Sequence, residues 1–321
     1  QVLLKNDQQL LPLAPNKRIA VVGPFANNAE DMQGSWAMSS HSKESVTIYE
    51  GIKEAVAEAG GSVTTAQGSW MVSDSLTEST LVNGLLGFFI PNYKPVAVHE
   101  RPLKVLIQEA VNTAKEADII VACLGESNAM NGEGASRADI SIPEPQRELL
   151  RSLKETGKPV VLVLTTGRPL TLTWENDHIP AILCSWSLGD QAGRAIADVL
   201  FGKVNPSGKL TMSFPRQVGQ CPIYYNHKST GRPHPDHAPY RKFTSCYIDV
   251  VNAPLYPFGY GLSYTSFQYT PVQLSHATMN RDKGSVVATV NVTNTGTREG
   301  MTTVQLYIHA KQSTSTRPVK E

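Results

Sequence analysis

Between residues 17 and 186 the chain repeats one pattern: a short apolar run, then a longer segment with apolar residues at helical spacing. The runs are Lys17–Gly23 (KRIAVVG), Val63–Ala66, Ile119–Leu124, Pro159–Leu164 (PVVLVL) and Ala181–Trp186. Runs this short and this rich in β-branched and small residues read as strands. The central ones are continuously apolar rather than alternating, so both faces must be buried, as in a parallel sheet. Between them, Ile48, Ile52, Ala55, Val56 and Ala59 make one helical stripe that stops at Gly60-Gly61. Leu103–Ala117, Pro145–Thr156 and Gln191–Phe201 read as further helices, and Gly202–Pro215 as a turn and an edge strand. Strands and helices in alternation predict an α/β fold, a three-layer α/β sandwich with a mostly parallel sheet.

The flanks read differently. Gln1–Pro15 looks like an extended connector, so residues 1–16 are set apart from a 17–216 sandwich domain. Leu81–Tyr93 (LVNGLLGFFIPNY) is too short and interrupted to cross a bilayer and reads as an insertion, a candidate contact patch. From Gln217 to Phe258 periodicity disappears, and residues 217–263 are expected as a loop-rich linker. Its histidines (His227, His234, His237) lack metal-ligand spacing. Beyond Tyr264, Val286–Val292 and Met301–His309 alternate around the turn residues Asn294-Thr295-Gly296. Residues 264–321 thus read as the start of a β-sandwich, short of the roughly seven strands a complete one needs.

At 321 residues the chain has length for about two domains. Its net charge of +1, without runs of like charge, argues against nucleic acid and against an anionic membrane surface. Of four cysteines, Cys123 and Cys184 fall in strands and read as buried thiols; a disulfide between Cys221 and Cys246 is left open. VVGP at Val21–Pro24 is not followed by the remaining glycines of a nucleotide fingerprint, so no cofactor is expected. The start at Gln1, with no leader or membrane span, is expected of a processed chain or a fragment.

The chemistry concentrates in Val121–Gln146, VACLGESNAMNGEGASRADISIPEPQ. A strand ends at Gly125, and a polar loop carries Glu133 between Gly132 and Gly134 before Ile142-Pro143 opens a helix. A carboxylate beyond the carboxyl end of a strand stands where open α/β sheets place ligand chemistry. The run GES…GEGASRADISIP…Q resembles the acid/base loop of family 3 glycoside hydrolases, of the periplasmic β-glucosidase type. Position by position, Glu133 then matches the general acid/base, and Ser136, Arg137 and Asp139 the residues bracing the loop. Four other segments agree with that resemblance in order: VLLKN…LLPL, GSW at Gly34–Trp36, TTGRP at Thr165–Pro169, and LYPFGYGLSYT at Leu255–Thr265.

The resemblance implies retaining hydrolysis of β-glucosides or oligosaccharides, in which one carboxylate attacks the anomeric carbon and a second protonates the leaving oxygen. Glu133 would be that acid/base, its pKa raised by an enclosed loop and an ionised partner. Trp36 would stack on sugar, with Ser136 and Arg137 as further substrate contacts. The nucleophile is an Asp on an N-terminal barrel that these residues do not contain, so the chain alone is expected to be inactive. Also implied are that barrel as partner, a homodimer, a periplasmic or secreted location, and a fibronectin type III-like final domain. The competing reading is a non-catalytic carbohydrate-binding or interaction module. A second GSW, at Trp70, is a weaker aromatic candidate.

Overall fold

The computed structural model describes residues 1–37, 42–89, 97–280 and 282–321. Six strands, β1 (Val2–Asn6), β2 (Arg18–Val22), β3 (Ser62–Ala66), β4 (Ile119–Gly125), β5 (Val160–Thr165) and β6 (Ala181–Cys184), form one sheet in the order β1-β6-β5-β4-β2-β3. All neighbours are parallel except β1 and β6.

Alternate residues of each central strand serve opposite faces, as the pleat dictates. Ala20, Val22, Ile120, Ala122, Leu124, Leu162 and Leu164 join one core with α3 (Leu103–Lys115) and α4 (Glu144–Glu155). Ile19, Val21, Val121, Cys123, Val161 and Val163 join the other with α1 (Ile48–Ala57) and α6 (Ala192–Leu200). With both faces covered, every residue of β4 and β5 is buried. Burial there pushes the Cys123 thiol far above its ordinary pKa, and Cys184 on β6 likewise. α1 starts sharply because Thr47 and Glu50 form a reciprocal cap: Thr47 Oγ1 accepts from Glu50 N at 3.2 Å and Glu50 Oε2 from Thr47 N at 2.9 Å. α2 (Ser75–Phe89) and the short α5 (Thr173–His178) complete the helices of this domain among the described residues.

Three expectations change. The supposed connector contributes β1, whose backbone pairs with β6 from Val2↔Cys184 to Asn6↔Ala181. The edge-strand role therefore belongs to residues 2–6. Residues 202–215 make only an isolated bridge, Phe214↔Tyr256. At the C-terminal end, β7 (Phe267–Tyr269) pairs with β10 (Val292–Asn294), and β8 (Gln273–Leu274) with β9 (Ala288–Thr289), both antiparallel. Met301–His309 is not a strand, and Leu306 and Ile308 are exposed: its alternation finds no sheet face to pack on among the described residues. The apolar stretch at Leu81 is helical to Phe89, and the contact patch expected of Leu81–Tyr93 lies largely outside the described residues.

Sheet order sets the site. From β2 the chain passes through α1 to β3 on one side, then returns to β4 on the other side of β2. The connections after β2 and β4 leave toward opposite faces, because α1 lies with α6 and α4 with α3. A crevice opens where such loops diverge, at the carboxyl ends of the strands. Its two walls are the loop bearing Trp36 and the loop bearing Glu133.

Candidate active site

β4 reaches this crevice through a glycine that the geometry requires. Gly125 has φ +134°, and a Cβ there would lie 1.9 Å from the Thr165 carbonyl oxygen on β5. Gln146, in the first turn of α4, locks the exit: its Oε1 accepts from Gly125 N at 2.7 Å, while Nε2 donates to Gly125 O at 3.0 Å and Met71 O at 2.8 Å. The glutamine after Ile142-Pro143 thus ties helix start to strand end.

The next residue, Glu126, is the hub of the loop. It is 0% exposed. Oε1 accepts from Arg137 Nη1 at 2.7 Å and Oε2 from Thr166 Oγ1 at 2.9 Å. Arg168 Nε lies 3.0 Å from Oε1 and donates to Oε2 at 3.3 Å. The two guanidiniums then reach outward. Arg137 donates to Ser141 O at 2.8 Å; Arg168 donates to Ala135 O at 2.7 Å and also to Met130 O. One buried carboxylate with two arginines therefore pins the loop on both sides of Glu133. Burying such charge is tolerable only with partners this complete.

Glu133 itself is on a turn between Gly132 (φ +88°) and Gly134 (φ +71°). It is exposed, and its carboxylate has no hydrogen bond or ion pair among the described residues. The enclosure and ionised neighbour that its expected role calls for are not supplied by these residues. Ser136 is exposed and equally unbonded among them. Arg137 is turned inward onto Glu126, so its guanidinium braces the loop. Asp139 Oδ1 accepts from Ser141 N at 2.8 Å, and that bond, helped by Arg137 and Arg147, holds its carboxyl below the usual range.

Across the crevice, Trp36 is 68% exposed. Its loop touches the other wall: Ser35 Oγ donates to Asn131 Oδ1 at 2.9 Å, and a Cβ on Gly132 would come within 2.7 Å of Ser35 Oγ. Trp36 and Glu133 thus sit on segments in direct contact. One face of Trp70 is taken. Its ring stacks on His99 at 3.8 Å and its Nε1 donates to Arg101 O at 3.0 Å.

Away from the crevice, a cleft of about 610 Å³ includes His227, His234 and Cys246. Another of about 760 Å³ includes Asp139, Arg147, Trp174 and Glu175. Among the described residues no cluster of three His, Cys, Asp or Glu could hold a metal. Nor is any described helix long and apolar enough to cross a membrane. Cys221 and Cys246 are free thiols, so the disulfide left open between them is not formed. LYPFGYGLSYT is a fastening: Tyr256, Tyr260 and Tyr264 hydroxyls donate to Asn176 Oδ1, Leu4 O and Val199 O at 2.8, 3.0 and 2.9 Å.

Glu126 was not foreseen as a functional residue. Its signal was a charged side chain placed directly after a buried strand, where only a paired carboxylate can sit.

Comparison with known proteins agrees with this fold. The profile of the glycosyl hydrolase family 3 C-terminal domain matches residues 1–264. A periplasmic β-glucosidase of Salmonella typhimurium is 48% identical over 320 residues, covering 100% of this chain and 40% of that protein. A β-xylosidase of Formosa agariphila is 36% identical over 313 residues, covering 96% of this chain and 38% of its own length. Among solved structures, the Listeria innocua β-glucosidase in complex with isofagomine superposes with a TM-score of 0.84 at 33% identity, covering 100% of this chain and 40% of that one. The chain thus spans about 40% of the length of such relatives, and it belongs to glycosyl hydrolase family 3, matching the C-terminal domain of that family.

Proposed function

We propose that this chain is the acid/base-bearing part of a retaining β-glucosidase that removes terminal β-D-glucosyl residues, with Glu133 as the acid/base. The observation that carries the reading is the contrast between Glu133 and its neighbours. Glu126, Arg137 and Arg168 are spent inside the loop, while Glu133 is held outward at the switch point with no hydrogen bond or ion pair among the described residues. A carboxyl kept free by a rigid support is available to a substrate oxygen. Trp36, exposed on the facing wall, offers an apolar face to a sugar ring.

A retaining mechanism needs a second carboxyl about 5–5.5 Å away. We place it on an N-terminal barrel, as an Asp, and that barrel would also enclose Glu133. The isolated chain is accordingly silent in catalysis. The names of the relatives support a glucoside substrate and a periplasmic or secreted location. Residues 217–263 serve as a linker, and residues 264–321 begin a fibronectin type III-like domain.

The test is hydrolysis of aryl β-glucosides by the barrel-bearing enzyme carrying Glu133→Gly, with and without azide. Collapse of turnover on poor leaving groups, with azide restoring it as β-glucosyl azide, is the expected result. Near-normal turnover would sink the assignment. Glucoside binding by the isolated chain, unchanged by Glu133→Gly, would favour the binding-module reading instead.

A further inference from the structure

Asp31 lies in a short turn, Glu30–Met32, in the loop after β2, and is 5% exposed. Among the described residues its two carboxylate oxygens have one donor each. Oδ1 accepts from the backbone N–H of Asn128, on the Glu133 loop, at 2.6 Å; Oδ2 accepts from Asn28 Nδ2, also at 2.6 Å. Asn128 returns a bond from Nδ2 to Glu30 O at 3.2 Å. Further along the same two loops, Ser35 Oγ donates to Asn131 Oδ1. Two staples therefore bracket the approach to Trp36 on one wall and to Gly132-Glu133 on the other. Met32 O, accepting from Leu188 N at 3.1 Å and Gly189 N at 2.9 Å, anchors the Asp31 turn to the loop after β6.

We propose that Asp31 is a positioning residue for Glu133: through Asn128 it locks the Trp36 wall to the Glu133 wall, so that sugar platform and acid/base keep one fixed relation. This rests on the reading of Glu133 as the acid/base. Both carboxylate oxygens must be acceptors for the lock to hold. A proton on either one makes that oxygen a much weaker acceptor, and the bond it receives loses its charge assistance. Burial favours that proton and lifts the Asp31 pKa from 3.8 to about 6, with the bonds from Asn128 and Asn28 pulling the other way. Among the described residues, the charged side chains on the elements around it are Glu30 in its own turn, Lys43 and Glu44 in the turn packed beside it, and Asp190 beyond Gly189. All four are exposed; the Asn128–Met130 turn brings only amides and apolar groups. Asn at position 31 would place an NH₂ against one of the two donors at every pH.

The test is kcat/KM of the barrel-bearing enzyme on aryl β-glucosides between pH 4.5 and 8, for the parent and for Asp31→Asn. At pH 7.5 the variant should lose about tenfold, part of the roughly hundredfold that a 1 Å misplacement can cost. The ratio of parent to variant should close toward one below pH 5, where the parent's Asp31 is protonated too. A ratio constant with pH, or near one throughout, overturns the proposal. Should Asp31→Asn not fold, Asn28→Ala replaces it: losing that donor should move the acidic limb of the parent profile to higher pH, and an unmoved limb overturns the proposal. Glu133→Gly with azide runs in parallel. If it is rescued while the Asp31 ratio is flat, only the positioning role fails; if Glu133→Gly turns over normally, the acid/base reading fails and takes the positioning role with it.

Discussion

Arg168 and Glu126 are 42 positions apart in the chain and 3.0 Å apart in space, and the segment between them carries Glu133. The pair joins the loops after β4 and β5. Without Glu126 both guanidiniums would keep their charge, largely buried, with no carboxylate to answer it. Glu126→Gln should therefore destabilise the domain by about 3 kcal/mol, the lower end for breaking a buried pair, since Arg137 and Arg168 retain some water contact. Urea unfolding of the chain checks this: the midpoint should fall with the slope unchanged. A shift under about 0.5 kcal/mol, the scale of an ordinary surface change, would show that the hub is dispensable.

Arg168→Lys separates charge from shape. Lysine keeps the positive charge, but its single ammonium cannot serve Glu126, Met130 O and Ala135 O together as the planar guanidinium does. The fold should survive while Glu133 loses its fixed position. The barrel-bearing enzyme should show kcat reduced about tenfold or more with KM changed far less, the pattern of a lost transition-state alignment. Equal loss in KM alone would assign Arg168 to substrate binding.

Much of this scaffold was legible in the residues. Continuous apolar runs at Ile119–Leu124 and Pro159–Leu164 placed the central strands to within a residue, because a strand buried on both faces admits little else. The helix stripes placed α4 and α6 to within a residue and α1 and α3 to within two. Val2–Asn6 was not legible: its pairing with β6 is a contact between the two ends of the domain, and no local pattern reports it. The alternation of Met301–His309 is strand chemistry without a partner sheet among the described residues, so propensity alone misled. Within the site, Glu133 stood out through the resemblance of its loop to that of family 3 glycoside hydrolases, not through its flanking glycines alone. Glu126 did not, because its role depends on arginines that only the fold brings together.

Trp36→Ala isolates the facing wall. The ring is 68% exposed, so removing it should leave stability unchanged. If it stacks on the sugar beyond the scissile bond, KM for cello-oligosaccharides should rise about tenfold, as loss of one aromatic contact of about 1–1.5 kcal/mol would produce. Small aryl glucosides should be affected less. KM values unchanged from the parent for both substrate types would remove Trp36 from the site.

The carboxyl of Asp31 makes a last prediction, about stability rather than rate. Its pKa is 3.8 in the unfolded chain and about 6 in the fold, chiefly because burial opposes the charge. Between those values the folded state holds a proton that the unfolded state has released, so the stabilisation present below about pH 4 is lost as pH rises through 6. At about 1.4 kcal/mol per pH unit, the shift corresponds to about 3 kcal/mol. About 2 kcal/mol of that decline falls between pH 4.5 and 7, and urea midpoints at those pH values should show it in the parent chain relative to Asp31→Asn, whose amide does not titrate. The same pH dependence in both proteins would mean that Asp31 titrates as it does in water. The expected decline has a meaning for the site. A charge that weakens the fold at neutral pH is not there to hold the core, and the bond it makes to Asn128 is better understood as a cost the domain carries to keep two loops in register.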